Sequence, residues 1–109
     1  MAGISVVIIC KNESAVIART LESLQGLTDD IILYDNGSTD DTAAVARRFP
    51  VQWHTGSWEG FGATKNKAIA LARYDWILSL DADEAIDEKL KQALQAADLS
   101  RSNQVFDLN

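Results

Sequence analysis

Basic charge, cysteine and histidine are scarce in this chain, and each shortage removes a class of explanation. Ten Lys and Arg stand against 16 Asp and Glu, a formal charge of -6 at pH 7. Counterion release from nucleic acid or anionic lipid needs clustered cations, so no nucleic acid partner is expected, and any phosphorylated ligand must be held locally. A lone cysteine, Cys10, can form neither an internal disulfide nor a cysteine-built metal cage, which fits a reducing, cytoplasmic setting. A lone histidine, His54, excludes a catalytic His pair or a His-rich metal site. The apolar run from Ile4 to Cys10 falls well short of the roughly 20 residues that span a bilayer, and no basic stretch precedes it as in a signal peptide.

What is present is enough apolar material, 47% of 109 residues, for one buried core, so a single domain over 1–109 is expected. Val6 to Cys10 is a continuous, largely β-branched run that predicts a parallel strand buried on both faces. Ile17, Leu21 and Leu24 then recur at helical spacing, with Asn12 as N-cap and Gln25-Gly26 as a stop. Ile31 to Tyr34 predicts a second strand. Ser38 and Asp41 have the spacing of a capping box for a helix running to about Phe49, which Pro50 ends. Val51 to His54 alternates like a third strand. A loop rich in glycine and aromatics, Thr55 to Gly62, leads to a helix over Ala63–Arg73 with Ala68, Leu71 and Ala72 inward. Tyr74 to Leu80 predicts a fourth strand; Leu90, Leu94 and Ala97 mark another helix; Gln104 to Leu108 begins a fifth strand. Alternating strands and helices imply right-handed crossovers and a mainly parallel α/β sheet covered on both faces.

Open parallel sheets bind ligands outside the carboxyl ends of their strands. Three polar clusters fall at such ends: Lys11-Asn12-Glu13, Asp35-Asn36-Gly37-Ser38 and Asp81-Ala82-Asp83. Asp81 and Asp83 flank a small residue after a buried strand, an arrangement suited to a hard divalent cation such as magnesium or manganese, which would neutralise a diphosphate. The same Asp-Ala-Asp-Glu run would also serve simply to solvate a strand end and cap the next helix. Asp35 precedes a turn where glycine permits close backbone approach, and its carboxylate is suited to accept a base N–H; an ordinary cap built from Ser38 to Asp41 would use the same residues. Lys65 and Lys67 follow Gly60-Phe61-Gly62 and are within range of a phosphate, although lysines on a solvated face are common. Trp53, Trp58, Phe61 and Trp76 are suited to stack on a base or sugar, but Trp53 and Trp76 fall in strands and are expected in the core, and Trp58 is the better candidate for contact with a ligand. His54 is expected to pack at the surface rather than to act in catalysis.

In this order the segments Ser5 to Glu13, Asp35 to Thr42, Gly60 to Ala68 and Leu80 to Glu84 resemble the family 2 glycosyltransferases, whose fold is the Rossmann-like, three-layer GT-A architecture. The Cys-Lys-Asn-Glu turn, the Trp-x-Gly-Phe-Gly loop and the Asp-Ala-Asp-Glu ending are most similar to bacterial members such as lipopolysaccharide core β-1,4-glucosyltransferases. The resemblance implies inverting, metal-assisted transfer of a sugar from a UDP-sugar donor to a carbohydrate or lipid-linked acceptor, at the cytoplasmic side of the bacterial membrane. It also implies the roles of the residues. Cys10, Lys11, Asn12 and Glu13 would line the nucleoside pocket with Gly37 and Ser38, and Asp35 would contact the uracil. Asp81 and Ala82 would lie against the ribose or sugar. Asp83, with Asp81, would hold the divalent metal, Mg or Mn, and Lys65 would meet the diphosphate where many relatives carry arginine.

Family members usually continue into an acceptor-binding half that carries the general base, so the chain is expected to be an amino-terminal part with its base beyond Asn109. Such a part would leave a sheet edge able to pair two copies. Two other readings use the same residues. One is a nucleotide-sugar-binding module without catalysis. The other is a haloacid-dehalogenase-like phosphatase, which also places Asp-x-Asp after a strand, but at its first strand and followed two residues on by Thr or Val; Ala85 stands there here.

Overall fold

The structure is a computed structural model and describes residues 3–96 and 105–107. Strands and helices alternate: β1 (Ile4–Cys10), α1 (Ile17–Ser23), β2 (Asp30–Asp35), α2 (Thr42–Ala46), β3 (Gln52–Thr55), α3 (Phe61–Ile69), β4 (Trp76–Asp81), α4 (Glu88–Ala96) and β5 (Val105–Asp107). The sheet order is β3-β2-β1-β4-β5 and every pairing is parallel. β1 lies at the centre, and six of its seven residues are buried. That burial explains its unbroken apolar run, since a strand covered on both faces has no solvent side to make polar.

The β1 side chains divide the core into two layers. Ile4, Val6, Ile8 and Cys10 pack with Ile31 and Leu33 of β2, Leu78 and Leu80 of β4, Ile17, Leu21 and Leu24 from α1, Ala46 of α2 and Leu94 of α4. Val7 and Ile9 face the other way, against Ile32, Tyr34, Ile77 and Ala68 and Ile69 of α3. The result is the expected three-layer α/β/α arrangement, with α1, α2 and α4 on one face and α3 on the other. The position of α4 departs from expectation. Steps from β1 to β2 to β3 run one way along the sheet, and the step from β4 to β5 runs the other way. Packing α4 on the α1 face therefore gives the last crossover the opposite hand to the first two.

Helix ends differ from the sequence reading in instructive ways. α1 begins at Ile17, with Val16 rather than Asn12 at its N-cap and no side-chain cap. α2 begins at Thr42 with no side-chain cap, so Ser38 and Asp41 form no capping box, and it ends at Ala46 before tighter turns carry the chain to Phe49. α3 spans Phe61–Ile69, so Leu71 falls beyond it and is 36% exposed instead of inward. The predicted helix contact at Ala97 lies outside the described residues.

The amino-terminal edge of the sheet is tied by Asp30. Its carboxylate accepts from the Ser5 hydroxyl at 2.5 Å, the Gln52 amide at 2.7 Å and the Arg73 N–H at 2.7 Å, and the residue is 1% exposed. Burial pushes its pKa up, but these three donors outweigh burial and hold it below the usual 3.8. A carboxylate with a depressed folded-state pKa adds stability above its unfolded value, and that stability is lost as pH falls through the folded one. Asp30→Ala should therefore lower unfolding stability by about 2–4 kcal/mol at pH 7, the cost of stranding buried donors. Urea unfolding across pH should show that gap narrowing below about pH 4, where the wild-type carboxyl also becomes protonated.

Candidate functional site

Strand register gathers the three polar clusters. Cys10 pairs with Asp35, Ile9 with Asp81, and Asp35 with Thr55, so the carboxyl ends of β3, β2, β1 and β4 lie side by side. Strand order reverses between β1 and β4, and a sheet of this kind opens a crevice at that point. Cys10 to Glu13 and Asp81 to Asp83 border that crevice, with Asp35 to Ser38 on the adjoining strand.

Two loops on the β1 and β2 side are interlocked. Asn12 adopts a left-handed conformation, φ 54°, and its side-chain oxygen accepts from the N–H groups of Thr39 at 2.8 Å and Asp40 at 3.3 Å. In return, the Ser38 hydroxyl accepts from the Asn12 N–H at 2.8 Å, the Thr42 hydroxyl from the Glu13 N–H at 2.9 Å, and the Asp40 carboxylate from the Ser14 N–H at 3.3 Å. Asn12 thus caps the neighbouring loop rather than its own helix. Asp35 is 3% exposed and works inside its own turn: one carboxylate oxygen accepts from the Gly37 and Ser38 N–H groups at 3.1 and 2.8 Å, the other from the Ser38 hydroxyl and the Cys10 thiol. Gly37, φ 102°, supplies a backbone that other residues rarely adopt. Burial, then the adjacent Asp35 carboxylate, pushes the Cys10 thiol up to about 12, so it stays protonated and donates to Asp35.

On the β4 side the chain turns tightly. The Asp81 N–H donates to the Glu84 carboxylate at 2.8 Å, and the Glu84 N–H returns to the Asp81 carbonyl at 3.0 Å. Ala82 is buried, and its carbonyl accepts from the Thr20 hydroxyl at 2.6 Å, which pins the turn to α1. Asp81 and Asp83 are exposed on either side of it. The cap of α4 is Asp87, whose carboxylate accepts from the Leu90 N–H at 2.7 Å, so the two earlier aspartates are not spent on capping. Among the described residues no cluster of three or more His, Cys, Asp or Glu encloses a metal. Two exposed hard-oxygen donors match a cation that completes its shell with phosphate and water.

The remaining residues are distributed as follows. Lys65 is half-buried in the second turn of α3, and Lys67 pairs with Glu59. Trp76 is in the core, Trp53 packs partly against it, and Trp58 is 53% exposed in the loop after β3. That loop is anchored where the Gly56 N–H donates to the Asp35 carbonyl at 2.9 Å. The His54 ring lies 3.2 Å from the Gln52 side-chain oxygen.

Residues 5–107 match the pattern of glycosyl transferase family 2. The chain belongs to that family. An uncharacterized glycosyltransferase of Rickettsia prowazekii is 40% identical over 95 residues, which cover 87% of this chain and 32% of that protein. The lipopolysaccharide core biosynthesis glycosyltransferase LpsC of Rhizobium meliloti is 33% identical over 96 residues, covering 84% of this chain and 35% of that protein. Among solved structures, glucosyl-3-phosphoglycerate synthase of Mycobacterium tuberculosis, in complex with Mn2+, UDP and glucosyl-3-phosphoglycerate, superposes with a TM-score of 0.65 at 27% identity, over 77% of this chain and 36% of that one. The fold is thus the GT-A type of this family. The chain spans about a third of the length of these relatives.

In this family 2 glycosyltransferase chain, Thr20 supports the turn after β4 although its place in the sequence alone does not mark it. Thr20 occupies a place in the apolar stripe Ile17, Leu21, Leu24, and a hydroxyl on a buried helix face is a signal of a hidden acceptor. Thr20→Val keeps the shape and strands the Ala82 carbonyl; unfolding stability should fall by about 1–3 kcal/mol, read by denaturant titration. Asp40 gives a second test. Hydrogen bonds from Thr42, its hydroxyl foremost, hold the Asp40 pKa down to about 2 from 3.8. The stability this adds is present above pH 4 and fades as pH falls toward 2. NMR titration of the carboxyl carbon should find a midpoint near 2 that returns toward 3.8 in Thr42→Val.

Proposed function

We propose that this chain forms the donor-binding part of an inverting glycosyltransferase that takes a sugar from a UDP-sugar with the help of a divalent cation. The observation that carries the reading is the alignment of Asp35, Cys10 and Asp81 across β2, β1 and β4, with Asp83 exposed just past the last of them. UDP complexes of the Mycobacterium tuberculosis synthase with Mn2+ and with Mg2+ support both the nucleotide and the metal. LpsC, a lipopolysaccharide core biosynthesis glycosyltransferase, supports an acceptor in lipopolysaccharide synthesis; the reading extends this to a place at the inner face of a bacterial membrane. No helix among the described residues is long and apolar enough to cross one.

In this reading the loops after β1 and β2 hold the nucleoside, with Cys10 to Glu13 on one side and Asp35 to Ser38 on the other. Asp35 reaches a base N–H by sharing or releasing one of its four donors, such as the Ser38 hydroxyl or the Cys10 thiol, because its oxygens already accept all four. Asp83 and Asp81 hold the cation, and Lys65 adds positive charge toward the diphosphate. When bound, the cation supplies Lewis-acid stabilisation of the negative charge on the departing UDP. The acceptor oxygen attacks the anomeric carbon from the face opposite UDP, the bond to UDP breaks, and the hydroxyl proton passes to a carboxylate outside these residues.

Calorimetric titration of UDP with Mn2+ tests the reading. We expect binding that disappears on chelation and weakens at least about tenfold in Asp83→Ala, equivalent to losing one strong metal contact. Metal-independent binding, or none by folded protein, would overturn the metal–diphosphate assignment.

A further inference from the structure

We infer that Asn12 is a positioning residue, whose side-chain oxygen holds the β2–α2 loop in the conformation that receives the nucleotide. The inference rests on the donor-site reading above and assigns Asn12 a task other than touching the ligand. Its oxygen is committed to the N–H groups of Thr39 and Asp40, with the Thr39 hydroxyl at 3.4 Å as a third neighbour. Thr39 and Asp40 are exposed, so water would otherwise compete for those groups, and no helix or sheet bond fixes them. Asp35, Gly37 and Ser38 lie immediately upstream on the same loop.

Two features make Asn12 hard to replace. Its backbone is left-handed, φ 54°, a conformation that asparagine and glycine tolerate and most residues do not. That conformation also turns the consecutive N–H groups of Asn12, Glu13 and Ser14 toward Ser38, Thr42 and Asp40. One residue thus gives its backbone to the first loop and its side chain to the second, and the pair behaves as a single preformed wall. A pocket that exists before the ligand arrives avoids the cost of ordering it on binding.

Three variants separate these contributions in the 109-residue chain. Asn12→Gly keeps the backbone freedom and removes the acceptor; Asn12→Ala removes both; Asn12→Asp keeps the acceptor. Amide hydrogen exchange and UDP titration with Mn2+ are measured at a temperature where circular dichroism shows every variant folded. We expect Asn12→Gly to lose exchange protection at Thr39 and Asp40, to keep it in the β-strands, and to bind UDP about tenfold more weakly, the scale of a loop that must be ordered on binding. Asn12→Ala should be weaker still, and Asn12→Asp should retain protection at Thr39 and Asp40. Asn12→Gly with wild-type affinity, or with unchanged protection of those amides, would overturn the inference and leave the donor site standing. Failure of the wild-type chain to bind UDP in the same titration would overturn the donor reading and this inference with it.

Discussion

The rest of the molecule depends on the burial of β1 between two strands and two helix layers. Six of the seven residues of Ile4–Cys10 are buried, so the strand must satisfy its backbone chiefly through β2 and β4. The chain becomes polar as soon as β1 leaves the sheet, at Lys11. The polar cluster at the candidate site is therefore a direct consequence of where the apolar run stops. The same holds for β2 at Asp35 and β4 at Asp81, and parallel register puts the three stops together.

Polar residues at these stops are arranged to satisfy one another. On one side, the two loops exchange backbone N–H groups and side-chain acceptors through Asn12, Ser38, Asp40 and Thr42. On the other, Thr20 reaches up from α1 to hold Ala82, and Asp87 takes over the capping of α4. That division of labour leaves Asp81 and Asp83 facing solvent at the crevice.

Strands and sheet were legible because period and run length report burial directly: all five fell where apolar runs predicted them, with ends shifted by a residue or two. Helix starts were less legible. Asn12 and Ser38 have the composition of N-caps, yet both serve the neighbouring loop, and a linear pattern does not distinguish a bond to the next turn from a bond to a segment 26 residues away. α3 stops at Ile69 although its apolar spacing continues through Leu71 and Ala72, since propensity alone does not mark the last turn. The hand of the last crossover was also beyond reach, because α4 is amphipathic and either face of the sheet would cover it. The side-by-side placement of the three polar strand ends, by contrast, followed from topology alone.

The state of Cys10 has a practical side. A thiolate is the form that reacts with electrophiles, and this thiol is both covered and kept protonated by its surroundings. The only sulfhydryl in the chain lies at the carboxyl end of β1, bonded to the aspartate that shapes the adjoining turn. Its labelling rate is consequently a gauge of how often that corner of the sheet comes apart, and a native reporter of local opening is built into the sequence without engineering.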